Sequence, residues 1–235
     1  MHIIFIPAFT IHDLPDYYSE FCNGVGPLHT IQFVEVDGYT HSGRRCLGDV
    51  ALETVLKECI VTCNRYKHPY VLVGHSTGAL IVDHIYQQLI TKPLSVVLFN
   101  PIVRHPRLRM CRRIPLFTPV LRLLDLLPIP LITSVYDGQQ FGTGCDVTPA
   151  MKYRLWVDLQ KSSSMQQTLP ASTTTVIIST RDEIGNGGEL IKCDDMHTTN
   201  YPGHTSFRSL ECMSHLLERL GTLERPTFEN LYTIP

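Results

Sequence analysis

Ser76 stands between two glycines in the run Val71-Leu72-Val73-Gly74-His75-Ser76-Thr77-Gly78-Ala79-Leu80. A serine hydroxyl is a useful nucleophile only when a base takes its proton and a third group orients that base. The glycines suggest how the serine is held. A nucleophile at a sharp strand-to-helix corner needs small neighbours, so that strand and helix can approach closely, and Gly74 and Gly78 supply them. The helix that follows directs its first N–H groups at the serine, favouring negative charge there.

The remaining chemistry lies downstream in the order acid, then base. The acid candidate comes after the apolar run 174–180, in Arg181-Asp182-Glu183. Asp182 is preferred to its competitor Glu183 because it is nearer the strand end, where loops converge on a site. The base candidate is His204, in Tyr201-Pro202-Gly203-His204-Thr205-Ser206-Phe207. Gly203 gives that loop backbone freedom, and Thr205 or Ser206 is available to cap the next helix. His197 is the rival base, but it is expected inside the last strand.

These residues need a scaffold that brings distant loops to one edge. Apolar runs of strand length occur at 2–6, 30–36, 70–74, 95–100 and 174–180, with a weaker one at 196–201. Several are apolar at consecutive positions, as in strands buried on both faces of a parallel sheet. Between them, Leu52, Val55, Leu56, Cys59, Ile60 and Cys63 recur at helical spacing, and so do Phe207, Leu210, Met213, Leu217 and Leu220. A further helix is expected over 77–91. The alternation predicts a doubly wound α/β fold with a mostly parallel sheet of about six strands, placing the ligand site at the strands' carboxyl ends. The chain reads as a single domain, 1–235, with a cap or lid inserted at approximately 101–170, where prolines and arginines interrupt the alternation.

Composition narrows the function classes. The chain has 235 residues, 43% hydrophobic and 18% charged, which fits a globular domain and argues against disorder. A formal net charge of −2 predicts no general attraction to nucleic acid. No signal peptide is read at the N-terminus, and the greasy stretch 114–136 is broken by Arg122, Asp125 and four prolines, so no membrane span is expected. Eight cysteines without a secretory signal suggest a reducing, cytoplasmic setting. Cys59 and Cys63 read as buried small hydrophobes rather than half a metal site. No metal or cofactor is expected.

The motifs VLVGHSTGAL, TRDE and YPGH, in that order, resemble the α/β-hydrolase superfamily, and most closely its compact carboxylesterases and monoacylglycerol-lipase-like serine hydrolases. The segment Asp37-Gly38-Tyr39-Thr40-His41-Ser42-Gly43 is similar to the family's Asp-x-x-Gly-x-Gly. The resemblance implies a Ser76–His204–Asp182 triad and ester hydrolysis through an acyl-enzyme. It also implies a core lacking the family's first hairpin, since the first strand here matches the family's third. Pro7-Ala8 stands where the family carries His-Gly, and the oxyanion donors it implies are the backbone N–H groups of Phe9 and Thr77.

The segment 104–122 carries six arginines and no acid, interleaved with apolar residues. It is either a solvated basic face or a cap whose apolar side lines an acyl pocket and whose basic side meets an anionic headgroup or transiently a membrane surface. Arg112, Arg113, Phe117 and Leu121 are its candidate substrate-contacting residues. The expected substrate is a hydrophobic ester or lipid. An acyl thioesterase or acyltransferase would use the same triad, and a catalytically inactive hydrolase-fold binding protein is the alternative of another class. No nucleic-acid partner is expected.

Overall fold

The structure is a computed structural model that describes residues 1–8, 17–26, 28–40, 50–102, 135–136, 139–140, 169–182, 191–203 and 205–224. In chain order its elements are β1 (His2–Ile6), α1 (Ser19–Val25), β2 (Thr30–Phe33), α2 (Leu52–Asn64), β3 (Tyr70–His75), α3 (Thr77–Tyr86), β4 (Ser95–Phe99), a two-residue-strand hairpin of β5 (Val135–Tyr136) and β6 (Gln139–Gln140), β7 (Thr174–Arg181), β8 (Asp195–Pro202) and α4 (Leu210–Glu224). Short 3₁₀ turns at Ala171–Thr173 and Ser206–Arg208 precede β7 and α4. The main sheet has six strands in the order β2-β1-β3-β4-β7-β8, and every neighbouring pair is parallel.

The two-residue period of a strand divides this sheet's side chains between two cores. Ile4, Ile6, Leu72, Val96, Leu98 and Val176 face one side, where Leu52, Val55, Cys59 and Cys63 of α2 and Ala79, Leu80, Ile81, Val82 and Ile85 of α3 cover them. Ile3, Phe5, Val71, Val73, Val97, Phe99 and Ile177 face the other, under Phe21 and Val25 of α1 and Cys212, Met213, Leu216 and Leu220 of α4. Alternate residues of one apolar run thus feed opposite faces, which is why the central strands carry no polar alternation. The arrangement is the doubly wound α/β fold that the alternation predicts.

The chain starts at β1, crosses to β2, and then returns past β1 to β3 before continuing to the far edge. The winding direction therefore reverses between β1 and β3. In open α/β sheets the crevice at the carboxyl ends of such a strand pair is the natural ligand position. Here it lies between the segment after Ile6 and the segment after His75.

Some local expectations change. Leu210 is 85% exposed, because it opens α4 and the buried stripe runs instead through Cys212, Met213, Leu216 and Leu220. Thr205 and Ser206 belong to the preceding 3₁₀ turn, and Thr205 makes no side-chain cap bond to it. Ser209 takes the capping place at α4, its carbonyl accepting from the Met213 N–H at 2.9 Å and its hydroxyl from the Cys212 N–H at 3.5 Å. Cys59 and Cys63 are free thiols inside the first core. Among the described residues no helix is long and apolar enough to cross a membrane.

Candidate active site

β3 is buried along its whole length and passes into α3 through a single residue, Ser76, at φ 58° and ψ −117°. Its N–H continues the ladder onto β4, donating to the Phe99 carbonyl at 2.9 Å, while its own carbonyl accepts from the Ala79 N–H at 3.2 Å and starts the helix. One residue thus ends a strand and begins a helix, which is possible only in a left-handed conformation that costs a non-glycine residue of order 1–3 kcal/mol. The glycines are required on steric grounds. A Cβ on Gly78 would lie 2.2 Å from the Ile6 carbonyl oxygen and 2.7 Å from that of Pro7, and one on Gly74 would lie 2.8 Å from the Ala79 Cα. Ser76 is 4% exposed, and Thr77 occupies the first turn of α3, where backbone donors and the helix dipole favour a developing negative charge.

The close approach at Gly78 brings the segment after β1 against the serine corner, and two buried tyrosines hold it there. The Tyr18 hydroxyl accepts from the Ala8 N–H at 3.1 Å and lies 2.9 Å from His75 Nδ1. The Tyr39 hydroxyl donates to the Pro7 carbonyl at 3.1 Å and lies 3.1 Å from Thr77 Oγ1, which is left as the donor of that pair. Burial pushes both phenols above their ordinary range, so both stay neutral hydroxyls at ordinary pH. Tyr39 stands next to Gly38, whose φ of 83° makes the turn that turns the chain back at this point.

Asp182 directly follows β7, at the same carboxyl edge as Ser76 and two strands away. Its N–H donates to the Ser179 carbonyl at 3.3 Å. Ser179 is a junction: its N–H donates to Asn100 Oδ1 at 2.9 Å, its hydroxyl donates to the Tyr201 carbonyl, and its Oγ accepts from the Arg181 N–H at 3.1 Å. Asn100, directly beyond β4, takes φ 43° and is 1% exposed, and its Nδ2 has no hydrogen-bond partner among the described residues. β8 ends at Pro202 on this same edge, with Gly203 at φ 81° just beyond it.

Ser76, Thr77, Gly74 and Gly78 therefore form one corner beside Pro7-Ala8, with Asp182 on the same edge. His197 lies within β8, in register with Ile177, its ring stacked on His215 at 4.6 Å and its Nε2 3.6 Å from Glu211 Oε1. His204, Phe9, Arg112, Arg113, Phe117, Leu121 and nearly all of 101–170, where a cap is expected, lie outside the described residues. Sequence reading did not find Tyr18, Tyr39, His75, Asn100 or Ser179. Among the described residues no group of three or more His, Cys, Asp or Glu side chains could hold a metal ion.

The sequence matches no protein-family model and no curated protein. Solved structures are similar across the chain. One, of the metagenome-derived lipolytic enzymes LipS and LipT, is 14% identical over 94% of this chain and 92% of its own, with a TM-score of 0.67. A monoacylglycerol lipase from Paleococcus ferrophilus is 14% identical over 94% and 93%, at a TM-score of 0.62. Mouse alpha/beta hydrolase domain-containing protein 10 is 14% identical over 94% and 88%, at 0.62. With its six parallel strands, the reversal of winding beside Ser76 and these likenesses, the chain has the α/β-hydrolase fold.

Proposed function

We propose that the protein is a serine hydrolase that cleaves a hydrophobic carboxylic ester, a lipid or lysophospholipid in kind, through an acyl-enzyme. The observation that carries this reading is the Ser76 backbone, held at φ 58° between two glycines that no larger residue can replace. Strain of that kind persists where the surrounding structure enforces it, and a strand-to-helix serine is the arrangement that exposes a hydroxyl to an incoming carbonyl.

In this reading Ser76 Oγ adds to the ester carbonyl as His204 takes its proton, with Asp182 fixing the imidazole. The N–H groups of Thr77 and Phe9 receive the negative oxygen, since a donor aimed at developing charge contributes far more in a site that excludes water than in solution. His204 then protonates the leaving alcohol, and water attacks the acyl-enzyme by the reverse sequence. Arg112, Arg113, Phe117 and Leu121 are assigned to the substrate: the apolar pair to the acyl chain, the arginines to an anionic headgroup.

The test is turnover of p-nitrophenyl esters from acetate to palmitate, with a matched thioester and a Ser76→Ala variant alongside. Ester turnover that is lost in the variant, together with fluorophosphonate labelling of Ser76, supports the reading. Thioester preference would make the protein a thioesterase. No turnover and no labelling would leave a hydrolase fold used for binding.

A further inference from the structure

We propose that Tyr18 and Tyr39 are positioning residues that fix the oxyanion-binding backbone of this site by tying Pro7-Ala8 to the two residues flanking Ser76. The inference rests on the hydrolase reading above and deepens it. His75 precedes Ser76 and Thr77 follows it. Each meets one buried tyrosine hydroxyl, and each hydroxyl in turn meets one half of the same dipeptide: Tyr18 joins His75 Nδ1 to the Ala8 N–H, and Tyr39 joins Thr77 Oγ1 to the Pro7 carbonyl. Two hydroxyls from separate parts of the chain thus brace one peptide segment against the serine from both of its neighbours.

Packing alone does not account for these hydroxyls. The Tyr18 ring sits among Phe5, Phe33 and Phe207 at centroid distances of 4.6, 5.4 and 4.9 Å, a setting a phenylalanine would fill equally well. Placing a hydroxyl there costs free energy unless it is hydrogen-bonded, and its two partners are the oxyanion segment and the serine's neighbour. Tyr39, 1% exposed within the opposite core, repeats the arrangement. Pro7 adds to it: its ring fixes φ and so limits the conformations open to the segment. The Pro7-Ala8 pair is therefore held by side chains, where a flexible glycine would have relied on the loop itself.

The test uses the full chain with Tyr18→Phe, Tyr39→Phe and the double variant, each first shown to be folded by urea titration. Three quantities are read: kcat, KM, and the inhibition constant of a trifluoromethyl ketone matched to the best acyl chain. Ser76 Oγ adds to that ketone, its proton passing to the base, so the ketone oxygen becomes an anion in the position the transition state uses. Losing one oxyanion donor outright costs about 10²–10³ in rate. Mispositioning is expected to lower kcat by about 10–10²-fold per variant, with KM changed by less than about twofold. The ketone is expected to weaken by the same factor as kcat/KM, a parallel that a purely structural role would not produce. The double variant is expected to lose less than the product of the singles, since both act on one segment.

Unchanged kcat in folded variants overturns the proposal and leaves the hydrolase reading standing. So does a fall in kcat without a matching loss of ketone affinity. If Tyr18→Phe does not fold, Tyr39→Phe decides by the same criteria. A wild-type protein that neither turns over esters nor labels at Ser76 overturns the hydrolase reading, and this proposal with it.

Discussion

The hydroxyl of Ser179 donates to the carbonyl of Tyr201, so the strand leading to Asp182 and the strand leading to position 204 are joined by a side chain at their carboxyl ends. The same residue's N–H reaches Asn100 Oδ1, beyond the strand beside the one that carries Ser76, and its carbonyl takes the Asp182 N–H. Ser179 is 7% exposed, at the point where the pairing of β7 and β8 loses its regular register. The irregularity frees polar groups from the ladder, and Ser179 re-uses them to tie adjacent loops together.

Ser179→Ala is therefore expected to act on both stability and rate. It leaves the Tyr201 carbonyl and the Arg181 N–H short of a partner, which costs about 1–3 kcal/mol. It also loosens two loops that a triad would need in register, which lowers kcat by up to about 10²-fold. Urea midpoints and single-substrate kinetics check the two effects separately. A lowered midpoint with unchanged kcat would show that the junction serves the sheet alone.

The glycines divide sharply by place. Gly78→Ala puts a methyl against two backbone carbonyls, which cannot move aside as a side-chain end can. It is expected to cost about 3 kcal/mol or more and to displace Pro7-Ala8. Gly221, inside α4 with nothing within 4 Å of an added Cβ, should do the reverse. Gly221→Ala is expected to stabilise by about 0.5–1 kcal/mol through helix propensity. Thermal midpoints of the two variants should move in opposite directions from the parent.

Ser76→Gly separates strain from chemistry. Glycine reaches φ 58° without the penalty a serine carries, so the variant is expected to be more stable by about 1 kcal/mol. For a chain of this size that is a rise of roughly 2–4 °C in Tm. Ester turnover and fluorophosphonate labelling should vanish in the same protein. A fall in Tm would mean that the serine side chain contributes more to the fold than its backbone costs.

Alkali should unfold the protein through its core. Burial raises the Tyr18, Tyr39, Tyr70 and Cys59 groups, and pushes the Cys63 thiol from 9.0 to about 12. Above the ordinary value the unfolded chain has shed a proton that the native state keeps, so stability falls with rising pH. The contribution of Cys63 is whole below about pH 9 and is lost progressively up to about pH 12. Each such group steepens the fall by about 1.4 kcal/mol per pH unit. Urea midpoints between pH 8 and 11 check this, and Cys63→Ala should flatten the slope by one proton.

The strands were legible because a strand buried on both faces is written as consecutive apolar residues, and His2–Ile6 shows the plain case. The run 30–36 overstates β2, which ends at Phe33: the Val34 N–H still donates to the Phe5 carbonyl at 2.8 Å, and Val34 and Val36 remain buried beyond the strand. Helix α1 was not legible at all. Seven residues that include Asn23 and Gly24 have little helical tendency of their own, and Phe21 and Val25 hold the turn by packing under the sheet. The serine corner could be read because its signal spans five adjacent residues. The tyrosines could not, since Tyr18 meets partners 10 and 57 positions away and Tyr39 one that is 32 away, separations that carry no periodic trace. Ser179 and Asn100, 79 positions apart, escaped for the same reason.

The pairing of Val96 with Thr174 closes the long excursion between β4 and β7. In the unfolded chain the entropy cost of bringing two positions together grows only with the logarithm of the length between them, by about 0.6 kcal/mol for each doubling. Lengthening or shortening that excursion thus changes the closure of the sheet very little. The edge that carries Ser76, Asp182 and the end of β8 is set by ladders on either side of it, not by the chain between. Under the proposed function, insertions and deletions there would alter the residues assigned to the substrate while the edge that carries Ser76 and Asp182 keeps its register, leaving substrate range and reaction chemistry free to diverge independently.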